Sequence, residues 1–347
     1  MEHSKKQHLN AVDRRNFLKN SVAAAVGTTA VGSSVSSADE SEAKTSSIPV
    51  KRFGKTEWEL PILAYGGAGI PRAWLNPLSV AERIKMVRHS YDSGIRYFDT
   101  AGNYMESQPI LGEALKDVRD DVYYVSKVET TDPTKVRAAV ESILEQMQTD
   151  RLDAILIHGT PGIEQMSVER AMEIHKELVK LRDEGITQYI GLSAHSYFDK
   201  ALALISTGDF DLCMLAYGYI PRGHNQVFSE SMLDLREQCL DKAHELDMGV
   251  AAMKVVGAGW LGAWSGYVVP EFEKNRLEDL PGAAMRWALK DERIDLLVVG
   301  MRLETEIDAN TNTLTGETTF TEEDEKLLED FAAAVRESDA MKKMRID

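Results

Sequence analysis

Gly94-Ile95-Arg96-Tyr97-Phe98-Asp99-Thr100-Ala101-Gly102-Asn103-Tyr104 starts as a strand and finishes as a turn. Ile95, Tyr97 and Phe98 are β-branched or aromatic, and a helix-like stretch ends just before Gly94. Apolar character stops at Asp99, and Ala-Gly-Asn links it flexibly to Tyr104. A carboxylate at the C-terminal end of a strand, with a phenol shortly beyond, places both groups at the rim of a parallel sheet. That rim is where α/β enzymes keep their chemistry. An Asp there is also a common N-cap for the next helix, so the rest of the chain has to decide.

Strand and helix signals alternate around this stretch. Apolar runs at 62–65, 95–98, 122–126, 154–157, 189–192, 212–215, 250–253 and 294–299 are eight strand candidates. Between them, Ile84, Val87 and Tyr91 share one helical face, as do Val136, Val140, Ile143 or Leu144, and Met147. Further helices are expected near 166–183, 229–246 and 281–290, with shorter ones after the second and fifth strands and near 304–310. A final helix starts at Thr321, where Glu322, Glu323 and Asp324 suit its N-terminal dipole. Residues 50–60 read as a hairpin turning at Gly54-Lys55-Thr56. Eight strands alternating with helices over about 300 residues predict a single α/β domain, a (β/α)8 TIM barrel over residues 48–347. A doubly wound sheet is the alternative, but Gly66-Gly67-Ala68-Gly69 lacks the GxGxxG spacing that fold normally brings.

The 347 residues are 43% hydrophobic and 28% charged, enough for a sizeable core. A net charge of −16 argues against nucleic acid and anionic membrane as partners. Cys213 and Cys239 are the only cysteines and form no CxxC, so a four-cysteine iron–sulfur or zinc module is excluded. Both fall in apolar patterns and are expected as buried thiols. No HxxxH spacing supports a metal.

Residues 1–38 have a different character. Asp13-Arg14-Arg15-Asn16-Phe17-Leu18-Lys19 precedes a mildly apolar stretch, 21–32, and Ser36-Ser37-Ala38 offers a small-residue cleavage site. The segment resembles a twin-arginine signal peptide. That resemblance implies passage through the twin-arginine export machinery and a periplasmic protein. The apolar stretch is too short to remain as a membrane span. Residues 39–47 read as a polar linker.

In a barrel, the polar residues at strand C-termini share one rim. The second strand ends in Asp99 with Tyr104 beyond, the third in Lys127, and the fourth in His158. Together these types suit acid–base chemistry at a carbonyl or alcohol. A free phenol has a pKa of about 10; a nearby ammonium is expected to lower it, and a carboxylate keeps that ammonium charged. A histidine opposite can orient a carbonyl oxygen. His195, after the fifth strand, and His224, in Tyr219-Ile220-Pro221-Arg222-Gly223-His224, could line the same pocket, whereas His175 and His244 read as structural or solvated.

At these residues the chain resembles the aldo-keto reductase family. Phe98-Asp99-Thr100-Ala101-Gly102-Asn103-Tyr104 with Gly112-Glu113-Ala114-Leu115 matches its first signature, and Lys127 and His158 complete its tetrad. The resemblance implies reduction of an aldehyde, ketone or sugar-like carbonyl by hydride from NAD(H) or NADP(H), without a metal. It implies Tyr104 as general acid, Lys127 and Asp99 tuning it, and His158 positioning the carbonyl. Gly66, Gly67, Ser193, Met214, Met253, Lys254, Gly257, Gly300, Arg302, Glu306 and Asn310 are the implied cofactor positions. Several depart from the family. Ala194 and Met214 stand for the Asn and Gln that hold the carboxamide, Met253 for the stacking aromatic, and Gly300 and Glu306 for the phosphate-binding Lys and Arg. Glu306 would repel a 2′-phosphate, with Arg302 the one nearby cation to offset it, which tilts the expectation to NAD(H). A slow nucleotide-binding regulatory barrel and a sugar isomerase or epimerase on the same scaffold are the other readings.

Overall fold

The computed structural model describes residues 47–224 and 226–346. Its first strands are the expected hairpin, β1 (Val50–Arg52) and β2 (Glu59–Pro61), paired antiparallel around a turn at Gly54–Thr56. The eight strands of the barrel follow: β3 (Leu63–Gly66), β4 (Tyr97–Asp99), β5 (Tyr123–Val128), β6 (Leu152–Ile157), β7 (Thr187–Ala194), β8 (Leu212–Ala216), β10 (Gly249–Met253) and β11 (Leu296–Val299). They pair in parallel in the order β10-β11-β3-β4-β5-β6-β7-β8, and β8 closes onto β10. Closure removes the doubly wound alternative. Two short strands, β9 (Gln226–Val227) and β12 (Arg345–Ile346), form a separate parallel pair. The segment that resembles a signal peptide (1–38) and all of the expected linker 39–47 except Ser47 lie outside the described residues.

The hairpin closes one end of the barrel. Phe53 and Trp58 are buried and stack with each other. Phe53 meets Tyr97 edge-on, and Trp58 contacts Tyr123 and Tyr189, residues near the N-terminal ends of β4, β5 and β7. A Cβ on Gly249 would come within 2.7 Å of the Phe53 ring, so β10 needs glycine there. With the N-terminal end filled by rings, the C-terminal mouth is the end left for a ligand.

Helices surround the strands at the expected places: α1 (Val80–Asp92), α2 (Ser107–Leu115), α3 (Val136–Gln146), α4 (Val168–Asp183), α5 (Phe198–Ile205), α6 (Glu230–Glu245), α7 (Leu280–Leu289), α8 (Glu304–Thr315) and α9 (Glu322–Glu337). Ser79, Ser167, Ser229 and Thr321 cap α1, α4, α6 and α9 with their side-chain oxygens. Val136, Val140, Ile143 and Met147 are all buried, as their spacing requires. Leu327, Leu328, Phe331 and Val335 of α9 form a second apolar cluster with Leu280, Ala283, Trp260 and Ile220. Arg286 of α7 pins it through a two-pronged pair with Asp324, at 2.7 and 2.5 Å. Cys213 and Cys239 are buried and free. No described helix is long and apolar enough to cross a membrane.

Strand ends differ from the hydrophobic pattern in an instructive way. β5 continues through Lys127 to Val128, and β7 through Ser193 to Ala194. Both polar residues face buried partners and stay in the ladder, where an apolar run alone reads them as its end.

Candidate active site

Register brings the four rim residues together. Asp99 lies level with Val125, and the period-two alternation puts Lys127 on the same face one step nearer the mouth. Lys127 Nζ donates to Asp99 Oδ1 at 2.5 Å and to the Thr100 carbonyl at 2.7 Å. Val128 pairs with Ile157, so His158 emerges next to it, its N–H bonded to the Val128 carbonyl at 2.9 Å. Tyr104 is held in a turn by its N–H to the Ala101 carbonyl and by Ser107 N–H to its own carbonyl. Its ring lies over Lys127 Nζ, 5.1 Å from the ring centre, and 5.9 Å from the His158 ring. Trp74, on the loop after β3, meets Tyr104 edge-on at 5.1 Å and forms an apolar rim.

Electrostatics correct one expectation. Burial pushes the Tyr104 phenol up from its ordinary value, and the Asp99 and Glu129 carboxylates add to the effect. The Lys127 ammonium, bonded to Asp99 Oδ1 and the Thr100 carbonyl, does not offset that rise. Burial also lifts the Asp99 carboxyl, with Lys127 pulling the other way. The result is a closed ion pair beneath a neutral phenol, which can donate a proton and is a poor base. His158 is lowered, chiefly by burial, and is therefore neutral. Its Nδ1 lies 3.3 Å from Glu129 Oε1, and its Nε2 is buried without a protein partner.

The mouth continues as a row of rings. The His195 ring lies 5.9 Å from His158 and the His224 ring 4.5 Å from His195. Both histidines thus join the site, as their loop positions allowed. Burial first, then Lys254, lowers each: His195 falls well below its ordinary value, and His224 is pushed down to about 4. His175, by contrast, sits on α4 with Nε2 on the Asp209 carbonyl, away from this row. Among the described residues no three His, Cys, Asp or Glu side chains are arranged to hold a metal.

Two cations complete this half. Lys254 adopts a left-handed backbone (φ 62) and is lowered to about 7 by burial and by Arg222. Arg222 donates to the Gly257 and His224 carbonyls and stacks over Trp260 at 4.1 Å. Its Nε is buried without a partner, and burial lowers it to about 10. Neither forms an ion pair with a described carboxylate; Glu164, which accepts from Thr160 and Ser196 hydroxyls, reaches Lys254 only through space. Two unneutralised cations beside the loop 254–259 suit a doubly charged pyrophosphate. On this donor set a dinucleotide fits.

The other implied cofactor positions are mixed. Ser193 is buried and its Oγ accepts from Gly159 N–H at 2.9 Å, leaving its own proton to donate. Met214 is buried in the middle of β8, and Met253 is buried at the mouth end of β10. Gly66 and Gly67 are demanded by packing: a Cβ would lie 2.9 Å from Gly300 N and 2.5 Å from the Asp99 carbonyl. Gly257 has φ +58 and turns the loop that carries Lys254. Arg302 is closed onto Glu306, 3.1 Å apart, and Glu306 also accepts from Arg302 N–H at 2.7 Å. Asn310 is buried on α8. Sequence reading missed Glu129, Glu164 and the role of Arg222. For Glu129 one signal existed, since it lies two residues after Lys127 and so on the same face.

A model of the aldo/keto reductase family matches residues 62–333. The chain is 28% identical over 228 residues to aldo-keto reductase family 1 member C21 of Mus musculus, covering 59% of this chain and 66% of that protein. That span is just under two thirds of the mouse protein's length. It is 28% identical over 274 residues to 7-acetyl-epi-neemfruitin B aldo-keto reductase of Melia azedarach, covering 71% and 78%. Among solved structures, the holo form of an aldo-keto reductase from Bacillus halodurans superposes with a TM-score of 0.63 at 17% identity. It covers 82% of this chain and 96% of its own, a likeness of fold.

Proposed function

Because the chain belongs to the aldo/keto reductase family, we propose that it reduces an aldehyde or ketone carbonyl with a reduced nicotinamide nucleotide. The observation that carries this reading is the buried Lys127–Asp99 pair under a neutral Tyr104, with His158 beside it. The nicotinamide, when bound, supplies the hydride. Tyr104 donates a proton to the carbonyl oxygen as it gains charge. Lys127 then stabilises the tyrosinate left behind, and Asp99 keeps that ammonium in place. His158 orients the substrate from the other side. Lys254 and Arg222 hold the pyrophosphate, and Ser193 donates to the carboxamide. The Arg302–Glu306 pair leaves no free cation at that position for a 2′-phosphate, which supports NAD(H).

Titration of NADH and NADPH by fluorescence, followed by aldehyde-dependent oxidation of the bound cofactor, tests the reading. NADH binding tighter than NADPH, with turnover, is expected. Much tighter NADPH binding would reverse the cofactor preference, and absence of binding to both would remove the reductase. We also propose export: Arg14 and Arg15 with the apolar stretch and Ser36-Ser37-Ala38 behind them support a twin-arginine leader, and the protein would carry its cofactor out with it.

A further inference from the structure

Arg83 occupies a core position of α1. It shares the buried face with Met86, Val87 and Ser90, at the spacing of an apolar stripe, and is 2% exposed. A guanidinium there needs polar partners. Its Nη1 donates to the Ile70 carbonyl at 2.9 Å and lies 3.6 Å from Glu106 Oε1, its one carboxylate partner among the described residues. The second contact is an attraction of charges rather than a hydrogen bond. Water screens it poorly, since Glu106 Oε2 is buried as well, without a protein partner.

The two groups that Arg83 holds belong to the two loops that meet at Tyr104. Ile70 lies in the loop after β3 that carries Trp74, and Glu106 follows Tyr104 by two residues in the loop after β4. The Trp74 and Tyr104 rings meet edge-on at 5.1 Å. Between Tyr104 and Glu106 stands Met105 at φ 47, a left-handed backbone that a residue with a Cβ adopts only under constraint. Met105 is 49% exposed, so its own packing is not that constraint. Released, it would return to negative φ and carry Tyr104 away from Lys127. We propose that Arg83 is a positioning residue for Tyr104: through Glu106 it holds Met105 in the left-handed turn, and through Ile70 it sets Trp74 against the phenol ring. The proposal rests on the carbonyl-reductase reading, in which Tyr104 gives the proton, and deepens it. Arg83 and Glu106 act through the loop and touch no reacting atom.

Three substitutions test the clasp in the full chain, each measured well below its melting transition. Glu106→Ala cuts the tie to the Tyr104 loop alone, and Arg83→Met cuts both ties. Each should slow single-turnover oxidation of bound NADH by saturating glycolaldehyde by about tenfold or more, with NADH affinity unchanged. The double variant should be no slower than Arg83→Met, because Glu106 then has nothing left to hold. Met105→Gly removes the left-handed penalty, so adding it to Glu106→Ala should restore the rate by about fivefold. A merely structural role for the pair would show no such recovery. Fluorine-19 NMR of the fluorotyrosine-labelled chain, with Tyr104→Phe assigning the signal, reads the same event without turnover. The Tyr104 signal should move in Glu106→Ala and return when Met105→Gly is added. Native-like rates in both single variants, additive losses, or an unmoved Tyr104 signal would overturn the proposal while leaving the reductase standing. No turnover by the native protein with either reduced nicotinamide would remove the reductase reading, and the Tyr104 signal would still decide the clasp.

Discussion

Asp99 and Lys127 are both withdrawn from water, and each is tolerated there only because of the other. Removing one leaves a buried charge with no counter-ion, which costs about 3–5 kcal/mol in comparable sites. Asp99→Ala should therefore lose stability of that order in urea denaturation. Asp99→Asn combined with Lys127→Met should recover most of the loss, since no net charge remains buried. Lys254 makes a different prediction, through pH. With its value lowered to about 7, the side chain is charged below that pH and neutral above it. An anionic cofactor prefers the charged form, so binding takes up a proton and NADH affinity falls as pH rises through about 7. Titrations across that range should show the decline in the native protein and a flatter profile in Lys254→Met. A pH-independent native affinity would take Lys254 away from the pyrophosphate. Arg222, Glu164 and the three mouth histidines face the same space, but Arg222 stays charged and the histidines neutral over most of this range.

At the scale of elements, the hairpin β1–β2 and the mouth are opposite ends of one barrel and should be separable by mutation. Phe53→Ala opens a cavity between Trp58, Tyr97 and Gly249, with an expected loss of about 3–5 kcal/mol. Melting should move down while NADH affinity, measured well below the transition, stays as in the native protein. A matching loss of affinity would mean the two ends are coupled. All eight barrel strands and the long helices were legible in the sequence because their apolar periods are local. So were Asp99, Tyr104, Lys127 and His158, since strand termini announce themselves by the switch from apolar to polar. Glu129 and Arg222 were not read as site residues. Each looks like an ordinary solvated loop residue until folding sets Glu129 against His158 and Arg222 against Trp260 and Gly257. The raised Tyr104 was also hidden, because it comes chiefly from burial, with the Asp99 and Glu129 carboxylates adding to it.

The whole molecule is acidic, at −16, yet it is proposed to draw an anionic cofactor to its mouth. Lys254 and Arg222 provide a local field of opposite sign at the point of binding. Residues 1–38 are the basic part of the chain, with five basic and two acidic residues. If they serve transport alone, Arg14→Lys with Arg15→Lys should leave folded, soluble protein in the cytoplasm, and the native chain should appear outside it about 38 residues shorter. An intact Met1 on cytoplasmic protein in the native host would overturn export. In the proposed mechanism catalysis belongs to the assembled mouth, built from three successive strands and the loops beyond β8 and β10. Its most direct test is a single turnover of bound NADH with glycolaldehyde in native protein and in Tyr104→Phe, with NADH affinity measured on the same samples. The account predicts a fall of at least about two orders of magnitude in the rate of NADH oxidation, with affinity nearly unchanged. Comparable rates in the two proteins would contradict it.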